Sequence, residues 1–456
     1  MAGSDGSGAT GVLTRQATGR YMRFPGHREA THYFPVERKV RRGGSLPGGE
    51  SPGWYLLGLD HVLADMEVEV PAQLVEELGL HSGESTPMED EGLDRLLQRL
   101  EQRGLRPSIT AGGTVSNSLN NYTFLAGEAA VLLGAIPRRL EFGDAAFLYV
   151  AHTPRAVDLS HLVAVEGNIG RALTLVEPGG ERTFAVAAGV SEEFPPEMVD
   201  PVLVEHASAV LVTLYCLRHR QAPIAAATKR LLRLACEFRV PVALGMGTGS
   251  LVRQLSGELP QLLRSWVDIA AMNQFEARAL TGQEDSLLAC QQILDWVDLV
   301  IITEGARGMT MGGWVDEAHL RQTDQAIRSK SIAEYNRYEY SRVMKRSDCR
   351  NPVKIYTHIH PYRGGPDRLA STSGAGDAAL AAVLHDVAAN RFHRHAVPGS
   401  GKHPRGVPFL SYSSLSRCAQ YGNRVAYEIL SSRSPRLDRP VGPDRLGDED
   451  DTASVS

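Results

Sequence analysis

The chain is short of the features that mark several large protein classes. No apolar run approaches the ~18–20 residues a membrane-spanning helix needs, so no such helix is expected. The first residues, MAGSDGSGAT, lack the apolar stretch of a secretory signal. Cysteine is scarce: five residues, Cys216, Cys236, Cys290, Cys349 and Cys418, widely spaced and without a CxxC pair. That excludes a disulfide framework and a zinc knuckle and fits a reducing compartment. Charge of either sign is not in great excess, with a formal net charge of -5 over 456 residues. Neither a nucleic-acid partner nor a polybasic membrane anchor is therefore expected. The expectation is a cytoplasmic protein.

What remains is ordinary globular material, 43% hydrophobic and 22% charged, enough for a sizeable core. Residues 1–21 are Gly/Ser/Ala/Thr-rich and lack apolar periodicity. They are expected to be disordered, and residues 22–50 to form an extended arm. From about Arg433 the chain turns Pro-rich and then acidic, ending in GDEDDTASVS, which reads as a solvated tail. Between them, residues 51–432 alternate short Val/Ile/Leu runs with longer amphipathic stretches. Strands are expected at Ala209–Tyr215, Val240–Gly245, Trp266–Met272 and Asp298–Thr303, with a helix near 222–239. Such alternation predicts an α/β fold with a mostly parallel sheet covered on both faces. In that architecture ligands lie beyond the carboxyl ends of the strands. Two stretches, 54–70 and 171–187, alternate over shorter lengths and are expected to form a small β-sheet lid. The second contains the hairpin-like Glu177-Pro178-Gly179-Gly180-Glu181.

The strongest chemical signal is Thr372-Ser373-Gly374-Ala375-Gly376-Asp377, running into AALAAVLHDVAAN. Glycines opening a helix let backbone N–H groups approach an anion, and the helix dipole adds positive potential. An Asp in that first turn can take a proton from a hydroxyl facing the same anion, and phosphoryl transfer needs both parts. Read alone, the segment is equally a Gly-rich turn with Asp377 at a helix start. Other pieces have the same double reading. Gly112 and Gly113 make a tight turn or a ligand cradle. Asn117 is a helix cap or a ligand contact. Asn273 and Glu276 share a helix start and cap it or face phosphates.

In their order along the chain these pieces resemble the ribokinase-like (PfkB-type) carbohydrate and nucleoside kinase family. The matching pieces are Gly112-Gly113-Thr114-Val115-Ser116-Asn117, Glu141-Phe142-Gly143, Asn273-Gln274-Phe275-Glu276 with Leu280-Thr281-Gly282, Thr303-Glu304-Gly305 with Gly308, and the GAGD helix. The resemblance covers most of residues 54–430. It implies a three-layer sandwich with a small lid, and Asp377 as general base. Asp65, Gly112, Gly113 and Asn117 would bind the sugar hydroxyls. His61 falls where nucleoside kinases of the family often have Asn, and Asp60 is a weaker sugar-binding candidate than Asp65. Thr303, Gly305, Gly308, Gly374, Ala375 and Gly376 would line the ATP and anion-hole side, and Asn273 and Glu276 would order magnesium and water around the phosphates. ATP is the implied co-substrate with Mg2+. A monovalent cation such as K+ is left open, as is a homodimer. Ser371 departs from the family pattern, standing where an Asp is common before x-GAGD.

Three further stretches narrow the resemblance: MRFPGHREATHYFPV from Met22, AEYNRYEYSRVMKRSDCRNPVKIYTHIHPYRGGP from Ala333, and LHDVAANRFHRHAVP from Leu384. They resemble a bacterial subgroup acting on inosine and guanosine. The implied reaction is transfer of the ATP γ-phosphoryl group to the 5′-hydroxyl, giving IMP or GMP in purine salvage. Met22, where the resemblance begins, is an alternative start. The middle stretch is an insertion near 314–366. It either shapes a pocket through Arg337 and Arg342 or is a solvated surface loop. A kinase for adenosine or a free sugar is the alternative in the same class. A nucleoside-binding protein without chemistry is the alternative in kind, and an intact GAGD with its Asp argues against it.

Overall fold

The structure is a computed structural model that describes residues 54–178, 181–325, 330–333 and 335–441. The expected arm over 22–50 and the acidic end of the chain lie outside these residues.

Runs of branched apolar residues form strands buried on both faces. In Tyr55–Leu59, Leu56 packs into one apolar layer, and Tyr55, Leu57 and Leu59 pack into the other. The next strand, Ala207–Thr213, divides in the same way, Ala209 and Leu211 against Val210 and Val212. A parallel sheet sandwiched between helices requires this pattern. In spatial order the parallel strands are Val157–Asp158, Ala129–Pro137, Tyr55–Leu59, Ala207–Thr213, Val242–Gly245, Ile269–Asn273 and Leu299–Thr303. Met309–Asp316 then turns antiparallel and pairs along its whole length with Pro352–Ile359. Arg342–Met344 and Phe409–Ser414 extend this edge. The Thr114–Ala126 and Ala375–Ala396 helices lie together on one face. Ala378, Ala379, Ala381 and Ala382 are fully buried there, and side chains this small let helices approach closely.

The expected strand positions hold with shifted ends. Trp266 closes the helix Leu259–Trp266, and the strand begins at Ile269. Leu214 and Tyr215 have left the sheet for a short 3-10 turn.

A second, smaller sheet of five strands stands where the lid was expected: Ser85–Met88, Arg182–Ala187, Gly170–Val176, Leu63–Glu69 and Ser108–Ala111, in that order. It carries its own apolar cluster, with Leu93, Leu96 and Leu100 of the helix Asp90–Glu101 against Leu173 and Leu175. The expected lid segment 54–70 is thus split. Tyr55–Leu59 belongs to the main sheet and only Leu63–Glu69 to the lid. The cause is the uninterrupted apolar run YLLGL, which belongs between two helical layers.

The expected insertion near 314–366 also needs correcting. Trp314–Asp316 and Pro352–Ile359 are sheet strands, and the Arg342 side chain is buried within packed protein, not in a ligand pocket. Its Nε and Nη2 donate to the Ser411 carbonyl at 3.0 and 2.8 Å, and Nη2 also donates to Asn390 Oδ1 at 2.7 Å. A third revision concerns the tail. Residues 433–441 are packed against the Thr114–Ala126 helix, with Leu437 and Val441 buried. Among the described residues, no helix is long and apolar enough to cross a membrane.

Candidate active site

The parallel strands end, and the lid begins, around one small acidic cluster. Gly113 opens the Thr114–Ala126 helix with φ +92, a conformation that favours glycine. Gly112 has a different need. A Cβ there would lie 2.2 Å from Asp65 Cγ, so only glycine lets the lid carboxylate come this close to the turn. One helical turn on, the buried Asn117 donates from Nδ2 to Asp377 Oδ2 at 3.4 Å. Ser118 Oγ donates to the Asp377 carbonyl at 3.2 Å. Asp65, Gly112, Gly113, Asn117 and Asp377, far apart in sequence, thus meet at one point.

Asp377 sits in the first turn of the Ala375–Ala396 helix, whose cap Gly374 has φ +76. Pro435 lies against that glycine: a Cβ on Gly374 would be 2.5 Å from Pro435 Cβ. Over Gly376 a Cβ would meet nothing within 4 Å. The turn is open on that side, and the N–H groups of a helix's first turn have no intrahelical acceptor. Arg182 reaches this loop from the lid, donating to Ser371 Oγ at 3.1 Å and to Ser373 Oγ. Ser371, in place of the common Asp, therefore accepts from a cation on the lid.

Asn273 and Glu276 form a capping box on Gln274–Thr281. Asn273 Oδ1 accepts from the N–H of Phe275 and of Glu276, both at 2.9 Å. Both Glu276 oxygens in turn accept from Asn273, at 2.9 Å from its N–H and 2.8 Å from Nδ2. Thr303 ends its strand beside Asn273, its registered neighbour. In the following turn Gly305 has φ +56 and Gly308 φ +99, and a Cβ on Gly308 would lie 2.1 Å from the Ile359 carbonyl oxygen. Glu304 in that turn accepts from Thr310 Oγ1 at 2.5 Å and lies 3.5 Å from His358 Nδ1. Asn336, within the insertion, accepts from the His358 N–H at 3.0 Å. The insertion thus braces this turn from behind.

Of two further residues singled out in the sequence, Phe142 stands apart from the cluster and Asp60 lies against its Gly113 turn. Phe142 is 93% exposed and meets the Phe147 ring at a tilt, 5.1 Å between centroids. Asp60 accepts from the N–H groups of His61 at 2.9 Å and Ser116 at 3.0 Å, holding the start of the Thr114–Ala126 helix. His61, Asp60 and Cys216 lie close enough to share a cation. However, burial pushes the Cys216 thiol up to about 12, which disfavours the thiolate a metal needs.

Burial dominates the electrostatics. It raises Asp377 to about 7, against the hydrogen bond from Asn117, with the Asp60 and Asp65 charges adding to the rise. Asp65 is raised to about 6 by burial, opposed by the Arg436 guanidinium. Glu276 is raised to about 8, by burial first and with the Asp377 charge adding to it. Carboxyls poised near neutrality in a cleft are suited to proton transfer.

The sequence reading missed Arg182, Tyr149 and Arg436. Tyr149 OH is 2.7 Å from Ser116 Oγ, and Arg436 Nε donates to Asn117 Oδ1 at 2.8 Å. The signal for Arg436 was faint: Leu437 and Val441 are apolar residues in a stretch otherwise suited to solvent.

The pfkB family of carbohydrate kinases is matched over residues 97–324. The chain belongs to this family. It is 41% identical to the guanosine-inosine kinase of Escherichia coli strain K12 over 426 residues, which is 93% of this chain and 98% of that one. Among solved structures, a probable sugar kinase from Rhizobium etli superposes with a TM-score of 0.63 at 16% identity, over 85% of this chain and 96% of its own. The adenosine kinase from Sinorhizobium meliloti gives 0.59 at 18% identity over the same shares. These two establish the shared pfkB-type fold and nothing further.

Proposed function

We propose that the protein transfers the γ-phosphoryl group of ATP to the 5′-hydroxyl of inosine and guanosine, forming IMP and GMP. The observation that carries the acceptor is the 41% identity to a guanosine-inosine kinase across nearly the whole of both chains. The meeting of Asp65, Gly112, Asn117 and Asp377 beneath the lid supports the chemistry.

Asp65 and Asn117, with the Gly112–Gly113 turn, hold the ribose, since a carboxylate accepts two hydrogen bonds from a vicinal diol with good geometry. Asp377 takes the 5′-hydroxyl proton as that oxygen attacks the γ-phosphorus, and its pKa of about 7 suits a base working near neutrality. The N–H groups of the Gly374–Asp377 turn face the moving phosphoryl group, with Arg182 reaching the same loop. Lid contact with the loop excludes water and limits ATP hydrolysis.

Magnesium fits the donor set. The Glu276 carboxyl is an oxygen donor of the kind a hard cation takes, and cationic charge there would lower it. Asn273 and Glu276 would hold it through water, because the Glu276 oxygens already accept from Asn273. When bound, Mg2+ neutralises charge on the nucleotide phosphates.

The choice of 6-oxopurines has a physical basis. Hypoxanthine and guanine share a 6-oxo group and N1–H, so a site paired to them leaves buried groups unsatisfied with adenine. The test is ADP release with Mg·ATP and a panel of inosine, guanosine, adenosine and ribose. Turnover confined to inosine and guanosine supports the proposal. Preference for adenosine or ribose would overturn its acceptor.

A further inference from the structure

The last described residues return to the site. After the Leu415–Leu430 helix the chain folds back across Thr114–Ala126. There Asn121 Oδ1 accepts from the Leu437 N–H at 2.7 Å, and Asn121 Nδ2 donates to the Pro435 carbonyl at 3.3 Å. Asn120 Nδ2 donates to the Leu437 carbonyl at 3.1 Å. These bonds fix the backbone on both sides of Arg436.

The Arg436 side chain, only 9% exposed, is turned into the acceptor cluster. Its Nε donates to Asn117 Oδ1 at 2.8 Å and its Nη2 to the Gly112 carbonyl at 3.1 Å. Its guanidinium carbon lies 5.7 Å from the centre of the Tyr149 ring. The third nitrogen, Nη1, is buried and makes no hydrogen bond of ordinary geometry to the described residues, although the guanidinium also interacts with the Tyr149 side chain. An unpaired buried cationic N–H is costly, and such an exception calls for an acceptor from outside the chain. Two of the three guanidinium nitrogens already hold groups assigned to the sugar. The acceptor for the remaining one is therefore sought in the same place.

We infer that Arg436 is a substrate-binding residue whose Nη1 donates to one of the two vicinal ribose hydroxyls, making the C-terminal segment a wall of the acceptor site. The inference rests on the nucleoside kinase reading. The position has a second consequence. The Arg436 charge opposes the rise of both Asp65 and Asp377, so the same residue helps keep the diol acceptor and the base ionised.

The test compares inosine, 2′-deoxyinosine and 3′-deoxyinosine as acceptors for the wild type, Arg436→Ala and Arg436→Lys. Arg436→Gln serves as a second neutral variant if Ala does not fold. Arg436→Ala is expected to lower kcat/KM for inosine by about 10- to 100-fold, the range for a lost charge-assisted hydrogen bond. The loss should be about 10-fold smaller for the one deoxynucleoside that lacks the partner hydroxyl, the remainder being the cost to Asn117 and the carboxylates that all three sugars share. Lys should recover part of the inosine activity, and KM for ATP should stay unchanged. An equal loss for all three sugars would overturn the inference and leave Arg436 a brace for Asn117. A lower KM for inosine in Arg436→Ala would also overturn it, showing that the side chain occupies the sugar's own space. Absence of inosine turnover in the wild type would instead refute the function reading itself.

Discussion

Asp377→Asn separates a catalytic role from a structural one because the two predict opposite outcomes. Asn keeps the size and the hydrogen-bonding reach to Asn117 but cannot take a proton. Loss of a general base costs about 10²–10⁴-fold in kcat, with KM for the nucleoside little changed. Stability should move the other way. The folded carboxyl is held at about 7 against an ordinary value of 3.8, chiefly by burial. Between those values the folded chain keeps a proton that the unfolded chain has released, so stability falls as pH rises through this window. At pH 8 the ionised buried group costs the fold up to about 4 kcal/mol. Asn resembles the protonated acid, so the variant should be more stable than wild type at pH 8, with the difference shrinking towards pH 4. Chemical denaturation of both proteins without ligands at pH 5 and pH 8, beside steady-state kinetics, reads both effects. A variant with near-normal kcat would remove Asp377 from the base role. One that loses activity and stability together at pH 8 would show that the carboxylate is structural.

Further expectations follow from the same geometry. Because the base acts only when ionised, log kcat/KM for inosine should fall as pH drops through about 7, the value to which Asp377 is raised. A profile flat down to pH 5 would contradict this. Gly112→Ala places a methyl 2.2 Å from Asp65 Cγ, so KM for the nucleoside should rise at least ~100-fold with the KM for ATP preserved, as dual-substrate kinetics would show. Arg342→Ala strips two buried acceptors, the Ser411 carbonyl and Asn390 Oδ1, of their donor and should lower stability by about 2–6 kcal/mol in urea denaturation. An unchanged midpoint would return the Arg342 stretch to a surface role.

Much of this was legible in the sequence because it is written locally. The strand at Val242–Gly245 and the glycines of GAGD each announce themselves within a few residues, through burial on two faces or a backbone that only glycine favours, whereas YLLGL falls inside the segment expected for the lid yet belongs to the main sheet. Asn273 and Glu276 likewise give a cap by spacing alone, and both the cap and the proximity to Asp377 are present. The parts that were missed depend on partners far away. Nothing near Arg436 in sequence points to Asn117, 319 residues distant, and its Pro-rich surroundings match those of a solvated tail. Arg182 has the same difficulty, since its partners Ser371 and Ser373 lie on the opposite side of the site. The lid strands Ser85–Met88 and Ser108–Ala111 are four residues each, too short for a period of two to stand out. Arg342 was read as exposed or ligand-facing because a buried arginine is rare without partners, and its partners become neighbours only once Phe409–Ser414 joins the sheet edge.

The central claim is that the γ-phosphoryl group passes to the 5′-oxygen of a 6-oxopurine nucleoside. It is tested most directly by following γ-labelled ATP with inosine, magnesium and the purified protein, and locating the label by mass and phosphorus resonance. The account predicts label in IMP, bonded at the 5′-oxygen, in step with ADP release. Label found only as inorganic phosphate, or no transfer to inosine while adenosine or ribose is phosphorylated, would contradict it.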